Sequence, residues 1–363
     1  MPLPHRLSSN YVITYLMNFS EQLINWYLLN KRELPWRGTS DPYKIWISEI
    51  ILQQTRVNQG LSYYERFIRR FPDVAALSDA DEDEVLKYWQ GLGYYSRARN
   101  LHAAAHTITS AYNGIFPTDY QSVLKLKGIG EYTAAAVCSF AYGLPYAAVD
   151  GNVYRVLSRF FGIETPIDSN GGKKVFSELA QELLDKKRPG LHNQAMMDLG
   201  ATVCTPSSPT CNECPLQDGC YAFANRSWTN FPVKKQKTKQ RNRYFYYFHI
   251  TGKNGKTYLH KREKNDIWKN LYELPLIETE RELSEEEIQE KFAFQPLETE
   301  FENLQLKKVH PTIKHILSHQ HIYACFIEAE ANYRKPENSV FLEIDESKTG
   351  DYAVSRLTEI FLS

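Results

Sequence analysis

Four cysteines crowd into one loop, Cys204, Cys211, Cys214 and Cys220, in a C-x6-C-x2-C-x5-C spacing. Clustered thiolates of this kind can ligate a cubane iron–sulfur cluster, one cysteine to each iron. Structural zinc more often uses two short C-x2-4-C knuckles, and spacing alone leaves zinc open. Two carboxyl groups carry a second kind of chemistry. Glu49 stands in the run Trp46-Ile-Ser-Glu-Ile-Ile-Leu-Gln53-Gln54-Thr55, an otherwise apolar helix. There burial is expected to raise its pKa and keep it protonated, as a proton donor requires. Asp150 precedes Gly151 at an expected helix N-terminus, which favours its anion. One acid that donates and one that stays charged is the division of labour in glycosidic cleavage. Taken singly, either could be an ordinary salt-bridged or capping acid.

A third signal is Gly128-x-Gly130, set directly before the apolar run Tyr132–Ala136. Two glycines let successive N–H groups turn toward one point ahead of a helix, a geometry that receives a phosphate. A tight helix–helix turn would read the same way.

Elements must hold these groups. Residues 18–110 read as successive amphipathic helices, one starting at Asp41-Pro42 with Ile45, Trp46, Ile50 and Val57 on one face. Pro72, Gly91 and Gly93 punctuate the rest of that stretch. Residues 121–163 hold two helical runs parted by Gly143–Asp150, and another helix begins near Gly171 and runs into 191–203. Little in residues 1–225 alternates as a strand would, so this part is expected to be almost wholly helical. The texture then changes. Residues 243–250 are aromatic and β-branched, a Lys-Asn-Gly turn comes next at 253–255, and residues 256–262 read as the second strand of a hairpin. Further strands are expected at 320–329 and 339–344, with a charged helix at 283–293, so the last 120 residues read as α/β.

The chain has 363 residues, 42% hydrophobic and 24% charged, as ordinary globular proteins do. No apolar run approaches the ~18 residues of a membrane span. Residues 10–20 lack the layout of a secretory signal. Six cysteines, four of them clustered, suit a reducing compartment; Cys138 and Cys325 are expected to be buried small residues. Net charge is zero but unevenly spread: about −1 over 1–225, +7 over 226–243 and −6 over 244–363. The basic tract (Lys234, Lys235, Lys237, Lys239, Arg241, Arg243) reads as an interdomain linker, with phosphate contact as an open alternative.

Leu34-Pro-Trp-Arg37, the Glu49/Gln53-Gln54 helix, Gly91-Leu-Gly-Tyr-Tyr95, the glycine hairpin, Asp150-Gly-Asn152 and the cysteine loop occur in one order. As a set they resemble the helix–hairpin–helix DNA glycosylases with an iron–sulfur cluster, and most closely the A/G-specific adenine DNA glycosylases. The resemblance spans roughly residues 20–225. It implies a two-lobed, mainly helical catalytic domain over 1–225, a [4Fe–4S] cluster on Cys204, Cys211, Cys214 and Cys220 rather than zinc, and duplex DNA with A·8-oxoguanine or A·G mispairs as partner.

By that similarity the enzyme flips adenine into a pocket, Glu49 protonates its N7, and Asp150 stabilises the oxocarbenium-like sugar. Tyr132 and Asn152 line the same site; Arg32, Leu34 and Trp36 surround the adenine; Gln54 and Tyr94 wedge into the base stack; Gly128 and Gly130 meet the backbone. Relatives that also cleave the backbone carry a lysine where Tyr132 stands, so a monofunctional glycosylase is implied. Lys127 replaces the proline usual before the first hairpin glycine. A glycosylase for mismatched thymine or oxidised pyrimidines on the same fold is the alternative.

Residues 244–363 resemble the Nudix-related module that reads 8-oxoguanine, with Leu317-Ser318-His319 at the family's Phe-Ser-His loop. Ser318 and His319 keep their hydrogen-bonding groups, while leucine takes the aromatic position. Glu273, Arg281-Glu282-Leu283 and Glu285-Glu286 fall in register with a Nudix hydrolase box, but Ile267 and Ile288 replace its two glycines. The module therefore reads as a recognition scaffold rather than a pyrophosphatase. A monomer is expected, in the cytoplasm with the nucleoid, or in the nucleus or mitochondria of a eukaryote.

Overall fold

The computed structural model describes residues 9–235, 240–252, 255–290 and 295–363. Contacts sort the chain into two compact units, Met1–Ser78 with Ala103–Gln236, and Asp79–His102 with Lys237–Ser363.

The first unit is helical, as expected. Its helices are α1 (Ser9–Asn30), α2 (Pro42–Ile51), α3 (Val57–Arg70), α4 (Val74–Ser78), the later part of α6 (Ser96–Ala111), α7 (Tyr120–Leu124), α8 (Glu131–Tyr142), α9 (Gly151–Phe161), α10 (Asn170–Leu183), α11 (Pro189–Thr202) and α12 (Tyr221–Ala224). The second unit begins with α5 (Glu82–Trp89) and the start of α6. Asp41 caps α2, accepting from the N–H of Tyr43 at 3.0 Å, with Pro42 at the first helical position. One apolar core of this unit joins Leu23 and Tyr27 of α1 to Val153 and Leu157 of α9, Phe176 of α10 and Leu199 of α11.

Two expectations need correction. Val57 does not share a face with Ile45 and Ile50, because α2 ends at Ile51 and Gln54, at φ +57°, turns the chain before α3. The helix near Gly171 does not run on to 203: α10 stops at Leu183, and Pro189, which has no N–H to continue a helix, opens α11.

Among the described residues the second unit is built on eight strands: β1 (Arg241–Thr251), β2 (Lys256–Lys261), β3 (Tyr272–Glu273), β4 (Leu276–Thr279), β5 (Phe301–Val309), β6 (Ile313–Ile316), β7 (Gln320–Tyr333) and β8 (Phe341–Asp345). Their order is β3-β2-β1-β7-β5, with β4 also on β1, β6 on β7 and β8 on β2. Among the strand pairs of the described residues β1–β7 is the parallel one, in register from Arg241↔Gln320 to Thr251↔Glu330. These central strands are buried on both faces, so they read as nearly continuous apolar runs. Tyr246, Phe248 and Ile327 face one core with Ile288 of α13 (Glu285–Gln289) and Leu297 of α14 (Gln295–Glu298). Phe245, Tyr247 and Phe326 face another with Leu357 of α15 (Arg356–Leu362). The expected charged helix at 283–293 is the short α13; residues 291–293, like the turn residues Lys253 and Asn254, lie outside the described residues.

Residues 79–102 belong with this sheet unit. Asp83 accepts from Lys261 at 2.6 Å and Tyr272 at 2.9 Å, and Arg99 donates to the Lys269 carbonyl at 2.7 Å. Gln90 bridges Glu359 at 2.9 Å and the N–H of Val354 at 3.2 Å. The basic tract is less a free linker than expected. Arg243 lies inside β1, 8% exposed, forked onto Glu278 and Asp266 at 2.6 to 2.9 Å, so it is spent on the fold. Lys237 and Lys239 lie outside the described residues.

Candidate active site

Glu49 sits on the buried face of α2, 7% exposed, between Ser48 and Ile50. Burial pushes its carboxyl above the ordinary range; the phenol of Tyr132, which donates to Oε2, and the charge of Arg37 pull the other way. Burial and the nearby Glu49 charge push the Tyr132 phenol far up, so it stays a donor. Asp150 is the N-cap of α9, as its sequence context implied. Its Oδ1 accepts from the N–H of Asn152 at 2.9 Å and of Val153 at 2.8 Å, and its Oδ2 from the Asn152 side chain at 2.7 Å. Burial nevertheless lifts this carboxyl above its usual value, against those donors and Arg155. The two acids thus differ in what opposes burial: one O–H for Glu49, three N–H groups at a helix start for Asp150.

Both carboxyls line one cavity of about 550 Å3, with Tyr132 and Asn152 and with Arg32, Leu34, Trp36 and Gln54. Trp36, 4% exposed, packs edge-on against Tyr64 at 5.1 Å. Gln54 is exposed beside the cavity at φ +57°, a backbone region that side-chain-bearing residues rarely occupy. Gly128 turns at φ +78°, where glycine is at no disadvantage, and Gly130 caps α8, so α7, this turn and α8 form a helix–hairpin–helix.

The four cysteines ring one void of about 30 Å3. Short turns hold them: the N–H of Cys214 donates to the Cys211 carbonyl at 3.1 Å and that of Gln217 to Cys214 at 3.2 Å. Arg159 of α9, 3% exposed, donates to the Thr205 and Pro206 carbonyls at 2.7 and 2.9 Å and lies 3.4 Å from the Cys204 sulfur. Burial pushes the Cys214 thiol up to about 12, so its thiolate form calls for cationic partners.

Residues 47–183 match the HhH-GPD superfamily of base excision DNA repair proteins, and residues 246–363 match a NUDIX domain. The adenine DNA glycosylase of Buchnera aphidicola subsp. Baizongia pistaciae is 39% identical over 262 residues, covering 71% of this chain and 73% of that one. The chain belongs to the adenine DNA glycosylase family. The Arabidopsis thaliana member is 37% identical over 70% of this chain and 46% of its own. Among solved structures, a thermostable thymine-DNA glycosylase is 29% identical with a TM-score of 0.55, covering 59% of this chain and 99% of that one. An endonuclease III in a DNA complex, 22% identical with a TM-score of 0.51 over 61% of this chain and 99% of that one, shares the fold.

In the sheet unit, Ser318 and His319 are the exposed tip of a two-residue turn, closed by the Leu317 N–H donating to the Gln320 carbonyl at 2.9 Å and flanked by the pair Ile316↔His321. The Tyr94 phenol, 46% exposed at φ +48°, lies 2.6 Å from the Ser318 hydroxyl. Leu317 is half-buried against the core, leaving Ile316, 64% exposed, as the free apolar neighbour of the turn. Of the Nudix-register acids, Glu273 is 3% exposed and gripped by Arg262 at 2.8 and 2.9 Å, while Arg281 pairs with Glu287.

Three charged residues of the site went unassigned in the sequence. Arg37 closes the Leu34-Pro-Trp-Arg37 run, which by itself marks no role for it. Asp198 of α11 is fully buried, a carboxylate in an apolar helix, the same signal that marked Glu49. Arg155, one turn after Asn152, donates at 2.7 Å to the Asn152 side chain, to the Gly200 carbonyl and to the Cys204 carbonyl.

Proposed function

We propose that this chain hydrolyses the N-glycosidic bond of adenine mispaired with 8-oxoguanine or guanine in duplex DNA. One observation carries the reading: a buried acid held by a phenol and an N-capped carboxylate share a single cavity of about 550 Å3. A flipped base would meet Arg32, Leu34 and Trp36 there. Glu49, protonated, donates to adenine N7 as the bond breaks, and Tyr132 fixes its other oxygen. Asp150, oriented by Asn152, stays anionic and stabilises the positive sugar before water adds. Tyr132 has no amine to form a Schiff base, so backbone cleavage is not part of the reaction.

Gln54 and Tyr94 hold the space left in the stack, Gly128 and Gly130 contact phosphate, and Ser318 and His319 read the base opposite. Residues 1–225 serve as the catalytic domain and 244–363 as the recognition domain. Cys204, Cys211, Cys214 and Cys220 would hold a [4Fe–4S] cluster. Their donor set suits it, and when bound it would stabilise the loop. The protein works as a monomer wherever the cell keeps its DNA.

Single-turnover cleavage of duplexes containing A·8-oxoguanine, A·G, A·T or T·G tests this. Adenine release from the first two is expected. The likeness to a thymine-DNA glycosylase favours the second reading, which release of thymine from T·G without adenine release would establish.

A further inference from the structure

We infer that Asp198 is a positioning residue for the acid: it pins the loop that walls the base pocket and cancels the cationic charge facing Glu49. Residues 31–41 form no helix or strand, yet they carry Arg32, Leu34, Trp36 and Arg37 to the cavity. Asp198 holds this loop at two points. Its Oδ1 accepts from Arg32 Nη2 at 2.5 Å and Arg37 Nη2 at 3.1 Å, and its Oδ2 from the Arg32 backbone N–H at 3.3 Å. The Asp198 side chain is only 1% exposed, and those of Arg32 and Arg37 are 30% and 12% exposed. Arg32 Nε and Arg37 Nε and Nη1 are buried without a hydrogen-bond partner, so one carboxylate serves both guanidinium groups.

This arrangement matters because Arg37 and Glu49 line the same cavity. A guanidinium in a poorly solvated wall favours the carboxylate form of a nearby acid. The groups facing Glu49 are Tyr132 of α8, Asp150 at the start of α9, Arg37 of the loop and the uncharged Met197 of α11. Arg32 lines the cavity as well, but Arg37 is the cation whose charge acts on Glu49, and Asp198 is the anion bonded to both. Removing Asp198 would leave the Arg37 charge uncompensated beside an acid that must keep its proton.

The inference rests on Glu49 being the proton donor, whose protonated form is lost as pH rises. The test is the pH dependence of single-turnover adenine release from an A·8-oxoguanine duplex, with the full-length, iron-loaded protein. In Asp198→Asn the alkaline fall in rate should move to lower pH by about one unit, a roughly tenfold deficit on that limb. In Arg37→Gln it should move to higher pH, and in the double variant it should return near the parent position. A general loosening of the fold would slow all variants without opposite displacements of the limb. If Asp198→Asn does not fold, Arg37→Gln alone decides. A limb that stays in place in Arg37→Gln, or moves the same way in both single variants, overturns the inference. Absence of adenine release from the parent would instead sink the proposed function itself.

Discussion

At the residue scale, the difference between the two site acids lies in their donors. Glu49 is held by one phenol inside an apolar helix, and Asp150 by three N–H groups at a helix start. Glu49→Gln should therefore lower base release by ~10³-fold or more, while affinity for a mispaired duplex stays within a few-fold, measured by single-turnover rates and by titration. Tyr132→Phe makes a subtler prediction. The phenol's hydrogen bond favours the Glu49 anion, so removing it should raise the Glu49 pKa further and carry the alkaline fall in rate to higher pH. A pH–rate profile checks the direction. These two acids were legible in the sequence because each carries a local signal, a carboxyl in an apolar helix and an Asp-Gly start. Arg37 was not, because its partner Asp198 lies 161 residues later; Asp198 carried the same helix signal as Glu49, but its pairing did not show. Arg243 misled for the same reason, since its partners Asp266 and Glu278 come 23 and 35 residues later.

At the scale of elements, α11 supplies more than Asp198. Its His192 is buried against Ser20 of α1 at 2.7 Å, and burial pushes its imidazole down to about 4. A folded-state pKa below the unfolded value of about 6.5 means that the unfolded chain binds the proton first. Stability from this residue is present above about pH 6.5 and lost as pH falls toward 4, by up to about 3 kcal/mol. Replacing His192 by Gln should flatten that part of the decline, seen as a smaller difference between urea midpoints at pH 7 and pH 4.5. Helix existence was readable from apolar periodicity, and the α8 and α9 starts from Gly130 and Asp150. Helix ends were harder: α10 and α11 share an apolar pattern, and only Pro189 marks the break. The β1–β2 hairpin was visible in its aromatic run, whereas the parallel pairing of β1 with β7 spans about eighty residues and left no local trace.

At the scale of the whole molecule, the chain passes between its two units three times, near residues 78, 102 and 236. Nothing in the composition of residues 79–102 announces their place with the sheet, because the deciding bonds reach Lys261, Tyr272, Val354 and Glu359. No helix among the described residues is long and apolar enough to cross a membrane. Ending the chain at residue 236 should remove those partners from residues 79–102, lowering the melting temperature and opening that segment to protease before the rest. Limited proteolysis followed by mass spectrometry would locate the first cut. The same layout has an inverse consequence. A protein severed at 236 and supplied as two separately produced pieces should reassemble, because the amino-terminal piece still carries the short stretch that the carboxy-terminal piece was built to grip. Such complementation would make this enzyme divisible in a way that two independent beads on a string are not.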